Sequence, residues 1–202
     1  VVEAATRLFA ENGFEKTTIR QICDEAGVNI ASVNYHFGDK EALYFAVLVN
    51  AHREAKQRAV PDEVPRDVPP EEQLRLFVWQ FLSRVFDPQV CGVMGRLMAQ
   101  EMMQPTKALD HLVAEEIRPK SIRLREIVIA VAGCPIPEQD LRRLAYSIVG
   151  QCLFYRHAAP LVQRLTPDLR FDHAELEQLT NHITRFSLAG IHQTIHSLGK
   201  DH

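Results

Sequence analysis

The stretch Thr17–Phe37, "TTIRQICDEAGVNIASVNYHF", limits the possible folds more than any other. Thr18 with Gln21 three residues later is a capping-box signature. Ile19, Ile22, Cys23 and Ala26 follow at helical spacing and make one apolar face. Gly27 ends that helix and can take the positive φ of a tight turn. Asn29 can cap a further helix that runs through Phe37. Two short helices joined by a three- or four-residue turn containing glycine have helix-turn-helix proportions. Val28 is expected to plug the space between the helices, with Val33 and Phe37 facing inward. Ile30, Ala31, Asn34 and Tyr35 are then left outside.

The rest of the chain reads as helix as well. Strand alternation and Asn-Gly or Asp-Gly hairpin dipeptides are missing from the sequence. The apolar pattern predicts helices over 1–12, stopped by Gly13, and over 39–59, capped by Asp39. Further helices are expected over 71–87, 92–104, 106–133 with a kink or split at Pro119, 138–158 and 173–198. Residues 60–72, "VPDEVPRDVPPEE", read as a proline-rich linker and 133–139 as a loop. The expectation is an all-α protein: a three-helix helix-turn-helix head over 1–50, then a larger helical body over 51–202. The chain opens without Met inside a helical pattern, so a few native residues are expected to precede Val1.

Composition sets further bounds. Hydrophobic residues are 46% and charged residues 24%, the ordinary soluble range. No apolar run reaches the roughly 18 residues of a membrane span, and no signal-peptide pattern is present, so a cytoplasmic protein with no membrane partner is expected. Cys23, Cys91, Cys134 and Cys152 form no CxxC pair and sit among apolar neighbours, as buried small residues would in a reducing compartment. The formal net charge is −3. Residues 1–59 carry seven Lys or Arg against eight Asp or Glu, so charge alone does not argue for nucleic acid.

The case for DNA is therefore geometric. A recognition helix places its N-terminal part in the major groove. Ala31 lets the backbone approach, Asn34 can bond adenine, and Ile30 can touch a thymine methyl. Residues 29–36, starting at Asn29, would enter the groove. Ile30, Ala31, Ser32 and Asn34 would then read bases, and Tyr35, His36 and Lys40 would hold phosphates. Thr17 and Thr18 lie at a helix N-terminus, where free amides favour an anion. A plain helical hairpin with a few exposed apolar residues shares the pattern.

The stretch "AATRLFAENGFEKTTIRQICDEAGVNIASVNYHFGDKEALY" resembles the DNA-binding domain of the TetR family of bacterial transcriptional regulators, without a gap to about residue 50. The likeness runs through Phe9, Gly13-Phe14, Thr17-Thr18-Ile19, Ala26-Gly27-Val28, Tyr35-His36-Phe37 and Lys40-Glu41. The chain departs from the family at Val33-Asn34, where Leu-Tyr is common. The resemblance implies a homodimer that binds a palindromic double-stranded operator and usually represses. A small-molecule effector in the body would spread the heads and release DNA.

In the body, Leu141, Ala145, Ile148, Cys152 and Tyr155 repeat at alternating spacings of four and three. So do Leu179, Ile183, Phe186 and Gly190 in the last helix, following Leu176. Such seams fit either a dimer interface or the chain's own core. TetR-type dimers use the last two long helices, which favours the interface. "MGRLMAQEMMQPTKALDHLVAEEIRP" and "SIVGQCLFYRHAAPLV" resemble the C-terminal domain of the CecR-type subgroup, linked to drug efflux and antibiotic response. Adaptable apolar residues with polar anchors suggest an effector pocket. Its candidates are Phe77, Phe81, Met98, Glu101, Met102, Phe154 and His157, with Glu101 suited to a cationic drug-like molecule; the same residues also fit an ordinary core.

Other classes fit less well. No GxSxG, P-loop or dinucleotide fingerprint appears, so no catalytic residue and no cofactor is expected. His192 and His196 stand four apart on one helical face, a spacing two metal ligands could use, but there is no Glu in an HExxH arrangement and no nearby Cys, and a solvated helix end is the expectation, with no metal. A protein-binding helical adaptor would explain the seams but not the exposed third helix.

Overall fold

The computed structural model describes residues 1–58, 63–88 and 92–199. Cys91 and residues 60–62 of the expected linker fall outside that set. The protein is all-α, with no strand among the described residues. In chain order the helices are α1 (Val2–Lys16), α2 (Ile19–Ala26), α3 (Ile30–Phe37), α4 (Lys40–Arg58) and α5 (Pro70–Phe86). They continue with α6 (Val93–Met103), α7 (Lys107–Leu112), a π-helical turn (Val113–Ile117), α8 (Arg118–Ala132), α9 (Glu138–His157), α10 (Ala159–Leu165) and α11 (His173–Leu198).

Three expected boundaries shift for local reasons. Gly13 breaks the first helix with a φ of 82° but does not end it, and the helix resumes to Lys16. The kink expected at Pro119 is a boundary between the π-helical turn and α8. Pro119 lies in the first turn of α8, where a missing N–H costs nothing. Residues 159–165 form a short helix that the periodicity did not mark.

Packing divides the chain into two compact units, Val1–Ala59 with Asp87–Glu116 and Val60–Phe86 with Ile117–His202. The sequence boundary at residue 50 and this division differ, because residues 87–116 group with the head.

In the first unit α1 packs against α4 and α6, α2 against α1 and α3, and α7 against α4. Phe9, Ile22, Val33, Leu43, Tyr44, Val47 and Leu48 form its core with Leu97, Ala108 and Leu112. Tyr44 meets the edge of Phe9 at 4.9 Å and lies 5.0 Å from Phe14. Aromatic pairs at such distances add to the burial energy.

In the second unit α5 packs against α8, α9 and α11 around Leu74, Val78, Leu82, Leu124, Ile127, Ile148 and Ile183. Residues 63–69 are non-helical but are not a loose linker. Val64 is buried in this core. Arg123 donates to the Val64 carbonyl at 3.3 Å and to Gln73 Oε1 at 2.8 Å, while Gln73 donates to the Val68 carbonyl at 2.8 Å.

Candidate nucleic-acid interface

The helix-turn-helix is built by local chemistry. Thr18 accepts from the Gln21 amide at 3.2 Å, and Gln21 Oε1 accepts from the Thr18 amide at 2.8 Å, closing the capping box of α2. Gly27, with a φ of 65°, ends α2 in the left-handed conformation that favours glycine. Asn29 Oδ1 then accepts from the Ala31 amide at 2.9 Å and caps α3. Gly38, with a φ of 86°, closes α3, and Asp39 Oδ1 accepts from the Ala42 amide at 2.8 Å to start α4.

Val33 alone is buried on α3, and Phe37 is half-buried. Ile30, Ala31, Ser32, Asn34, Tyr35 and His36 are all exposed, Tyr35 to 86%. Val33 and the half-buried Phe37 anchor this eight-residue helix to the core, and its other six side chains are exposed. Tyr35 and His36 meet edge to face at 5.3 Å. Val28, expected as a plug, is borderline exposed at 36%.

Two residues expected at phosphates also make contacts within the head. The Thr17 side chain is fully buried, and its hydroxyl donates to the Gly13 carbonyl at 2.8 Å, with the Leu8 carbonyl 3.2 Å away. It therefore splices the broken α1 to the start of α2, and only its backbone remains for an anion. Lys40 donates to the Phe14 carbonyl at 3.0 Å and stands 4.2 Å from the Phe14 ring centre, so one of its three donors is committed to packing.

Arg20 was not singled out from the sequence, although it directly follows the two threonines and Ile19. It is exposed in the first turn of α2 and makes no ion pair among the described residues. Arg7, by contrast, is bridged to Glu25 at 2.8 Å. In a head of balanced charge, an unpaired guanidinium beside the capped α2 N-terminus is a natural anion contact. The signal for it was the sorting of paired from unpaired cations, which needs coordinates.

The expected effector residues are divided between the two units. Met98, Glu101 and Met102 belong to the first unit; Phe77, Phe81, Phe154 and His157 belong to the second. Glu101 is fully buried and accepts three hydrogen bonds, so its carboxylate is committed within the head. Met102 and Phe154 are exposed. Phe77 and Phe81 lie 6.5 Å apart on α5.

An open groove of about 980 Å³ in the second unit is lined by Arg75, Tyr155, His182 and Arg185 among others, and another of about 900 Å³ in the first by Phe14, Tyr44, Phe45 and Thr106. Neither is lined by any of the seven candidates.

Most residues of the seam expected at a dimer interface lie within the chain's own core. Leu141, Ala145, Ile148, Cys152, Leu179 and Ile183 are buried in the second unit's own core, and Tyr155 is half-buried against it. A heptad-like pattern marks a buried face without saying whose helix covers it. Phe186 is 64% exposed, and Gly190 is half-buried. The large apolar residues that the described parts of these helices leave outside are Tyr146 and Phe154 on α9 and Phe186 on α11.

Comparison with known proteins agrees with this geometry. Residues 1–47 match the model for bacterial regulatory proteins of the TetR family. Residues 70–191 match the C-terminal domain of the HTH-type transcriptional dual regulator CecR. CecR of Shigella flexneri is 26% identical over 195 residues, covering 91% of this chain and 86% of CecR. RutR of Escherichia coli K12, another HTH-type transcriptional regulator, is 28% identical over 209 residues, covering 95% of this chain and 88% of RutR. Among solved structures, AibR in complex with isovaleryl coenzyme A and operator DNA superposes with a TM-score of 0.63 at 19% identity, covering 92% of this chain and 94% of AibR.

These relatives are regulators and not enzymes. With a helix-turn-helix head and a C-terminal domain that matches over more than half its length, the chain belongs to the TetR family of bacterial transcriptional regulators, with a CecR-type C-terminal domain.

Proposed function

We propose that this regulator is a ligand-responsive repressor that binds a palindromic operator as a homodimer. The observation that carries the reading is the exposure of α3, which keeps Val33 inward and presents Ile30, Ala31, Ser32 and Asn34 to a groove. Tyr35, His36, Thr18 and Lys40 hold phosphates, with Arg20 added beside them. Phosphate contacts set register and base contacts set sequence. Half-sites stand about 34–36 Å or a multiple apart, one per head.

The dimer face is assigned to the outer surfaces of α9 and α11, where Tyr146, Phe154 and Phe186 are exposed. The effector is an apolar, drug-like or metabolite-sized molecule held in the body near Phe77 and Phe81. AibR, of the same fold, is recorded with isovaleryl coenzyme A, which brings acyl metabolites within the class. The effector acts by preferring a conformer whose heads miss the half-site spacing, and DNA weakens its binding by the same factor.

Selection from a random duplex pool tests the reading. Enrichment of a two-fold symmetric sequence, bound by two chains and released by apolar compounds, is expected. Failure to enrich any sequence would overturn it.

A further inference from the structure

The head contains a buried carboxylate that no cation answers among the described residues. Glu101, on α6, is fully enclosed. Its Oε1 accepts from the Tyr44 hydroxyl at 2.8 Å and from the Thr106 hydroxyl at 3.0 Å, and its Oε2 accepts from the Thr106 amide at 3.0 Å. Among the described residues no lysine, arginine or histidine pairs with it. Thr106 Oγ1 also accepts from the Ala108 amide at 3.2 Å, capping α7. Burial, reinforced by the facing carboxylate, pushes the Tyr44 phenol well above its ordinary range, so it remains a donor.

Enclosing a carboxylate is costly, and hydrogen bonds offset that cost only when each donor is in place. An apolar side chain at residue 101 would fill the space without that demand. What the carboxylate adds is direction, because its bonds close in one arrangement of three segments.

Tyr44 lies one turn into α4, which follows the recognition helix α3 after only Gly38 and Asp39. The Tyr44 ring is held between Phe9 and Phe14 of α1. Gln100, the residue before Glu101, donates to the Ala10 carbonyl at 3.2 Å and lies beside the Gly13 break. Helix α6 thus grips α1 and α4 through directed bonds, with the α7 N-cap Thr106 tied to the same carboxylate, and α3 packs on α4.

We propose that Glu101 is a positioning residue for DNA recognition, holding Tyr44 and Thr106 so that the α3–α4 corner stands in one pose on the α6–α7 layer. The inference rests on the DNA-reading role of α3. Glu101 does not touch DNA and does not bind effector. Its function is to make the pose of a small head single-valued.

The test uses the full chain and two fluorescent duplexes, the tightest one selected by the wild type from a random pool and a scrambled version of it. Glu101→Gln keeps the shape but presents an NH₂ donor to the Thr106 donors. Tyr44→Phe keeps the aromatic stack and removes one bond.

Each variant is expected to weaken the selected duplex five- to thirtyfold and the scrambled duplex less than twofold. The double variant is expected to be no worse than Glu101→Gln alone. A merely structural role would lower the active fraction and affect both duplexes alike. Equal losses on the two duplexes, or no loss on the selected one, would overturn the proposal. Should Glu101→Gln prove insoluble, Tyr44→Phe decides by the same criterion. A wild type that selects no duplex would sink the DNA-reading role itself, a separate outcome from variants that match a selective wild type.

Discussion

The Lys40 ammonium donates to the Phe14 carbonyl at 3.0 Å and stands 4.2 Å from the centre of the Phe14 ring. One side chain thus ties the first residue of α4 to the end of α1 and keeps two donors free. If those donors hold a phosphate, Lys40→Ala weakens binding to every duplex and makes the log–log salt slope shallower by about 1. An unchanged slope would assign Lys40 to packing alone.

Thr17 and Thr18 are adjacent but do different work. The buried Thr17 hydroxyl bonds the Gly13 carbonyl, so Thr17→Val is expected to cost about 1 kcal/mol of stability in urea titrations while leaving the salt slope of DNA binding unchanged. A shallower slope in that variant would return Thr17 to the phosphate contacts.

Asn34 and Tyr35 are both exposed, so neither holds the fold. Tyr35→Phe is expected to weaken all duplexes similarly. Asn34→Ala is expected to relax preference at one base pair by about 1–3 kcal/mol of discrimination. Binding to a panel of single-base variants of the selected duplex reads both effects. Thermal midpoints should stay within a degree or two of the wild type.

The exposed aromatics of α9 and α11 and the buried seam beneath them make opposite predictions. Phe186→Arg is expected to give a folded monomer by sedimentation velocity. Ile148→Ala, which empties space in the core, is expected to cost about 2–5 kcal/mol of stability. A dimeric Phe186→Arg protein would move the interface elsewhere.

Burial pushes the Cys152 thiol up to about 12, from an ordinary 9.0. The folded state therefore keeps a proton that the unfolded state releases, so this contribution to stability is complete below about pH 9 and is lost as pH rises further. Iodoacetamide at pH 8 is expected to spare Cys152 and the buried Cys23 in the native protein. Rapid native labelling of Cys152 would contradict its enclosure.

How much of this was legible in the sequence varied with the range of the interaction. The capping box of Thr18 and Gln21, the glycine turn and the Asn29 cap are local, and each forms as its residues imply. The fate of Thr17 depended on the left-handed break at Gly13, four residues earlier, which let the chain fold back over its hydroxyl. The seam through Ile148 and Ile183 is legible as an apolar stripe, and both residues are buried in the chain's own core. Its partner was not legible, because one apolar stripe fits α5 and α8 of the same chain as well as a second copy. Glu101 stood out as a polar residue on an apolar helix, but Tyr44, its donor, lies 57 residues away, and no periodicity connects them.

The most direct test of the central claim is fluorescence anisotropy of the full-length chain with duplex DNA from upstream of its own gene and a random duplex, across a salt series. Selective binding to the upstream duplex, with affinity falling steeply as salt rises, is the expected result. No binding to either duplex, even at low salt, would contradict the assignment of α3 as a DNA-reading helix.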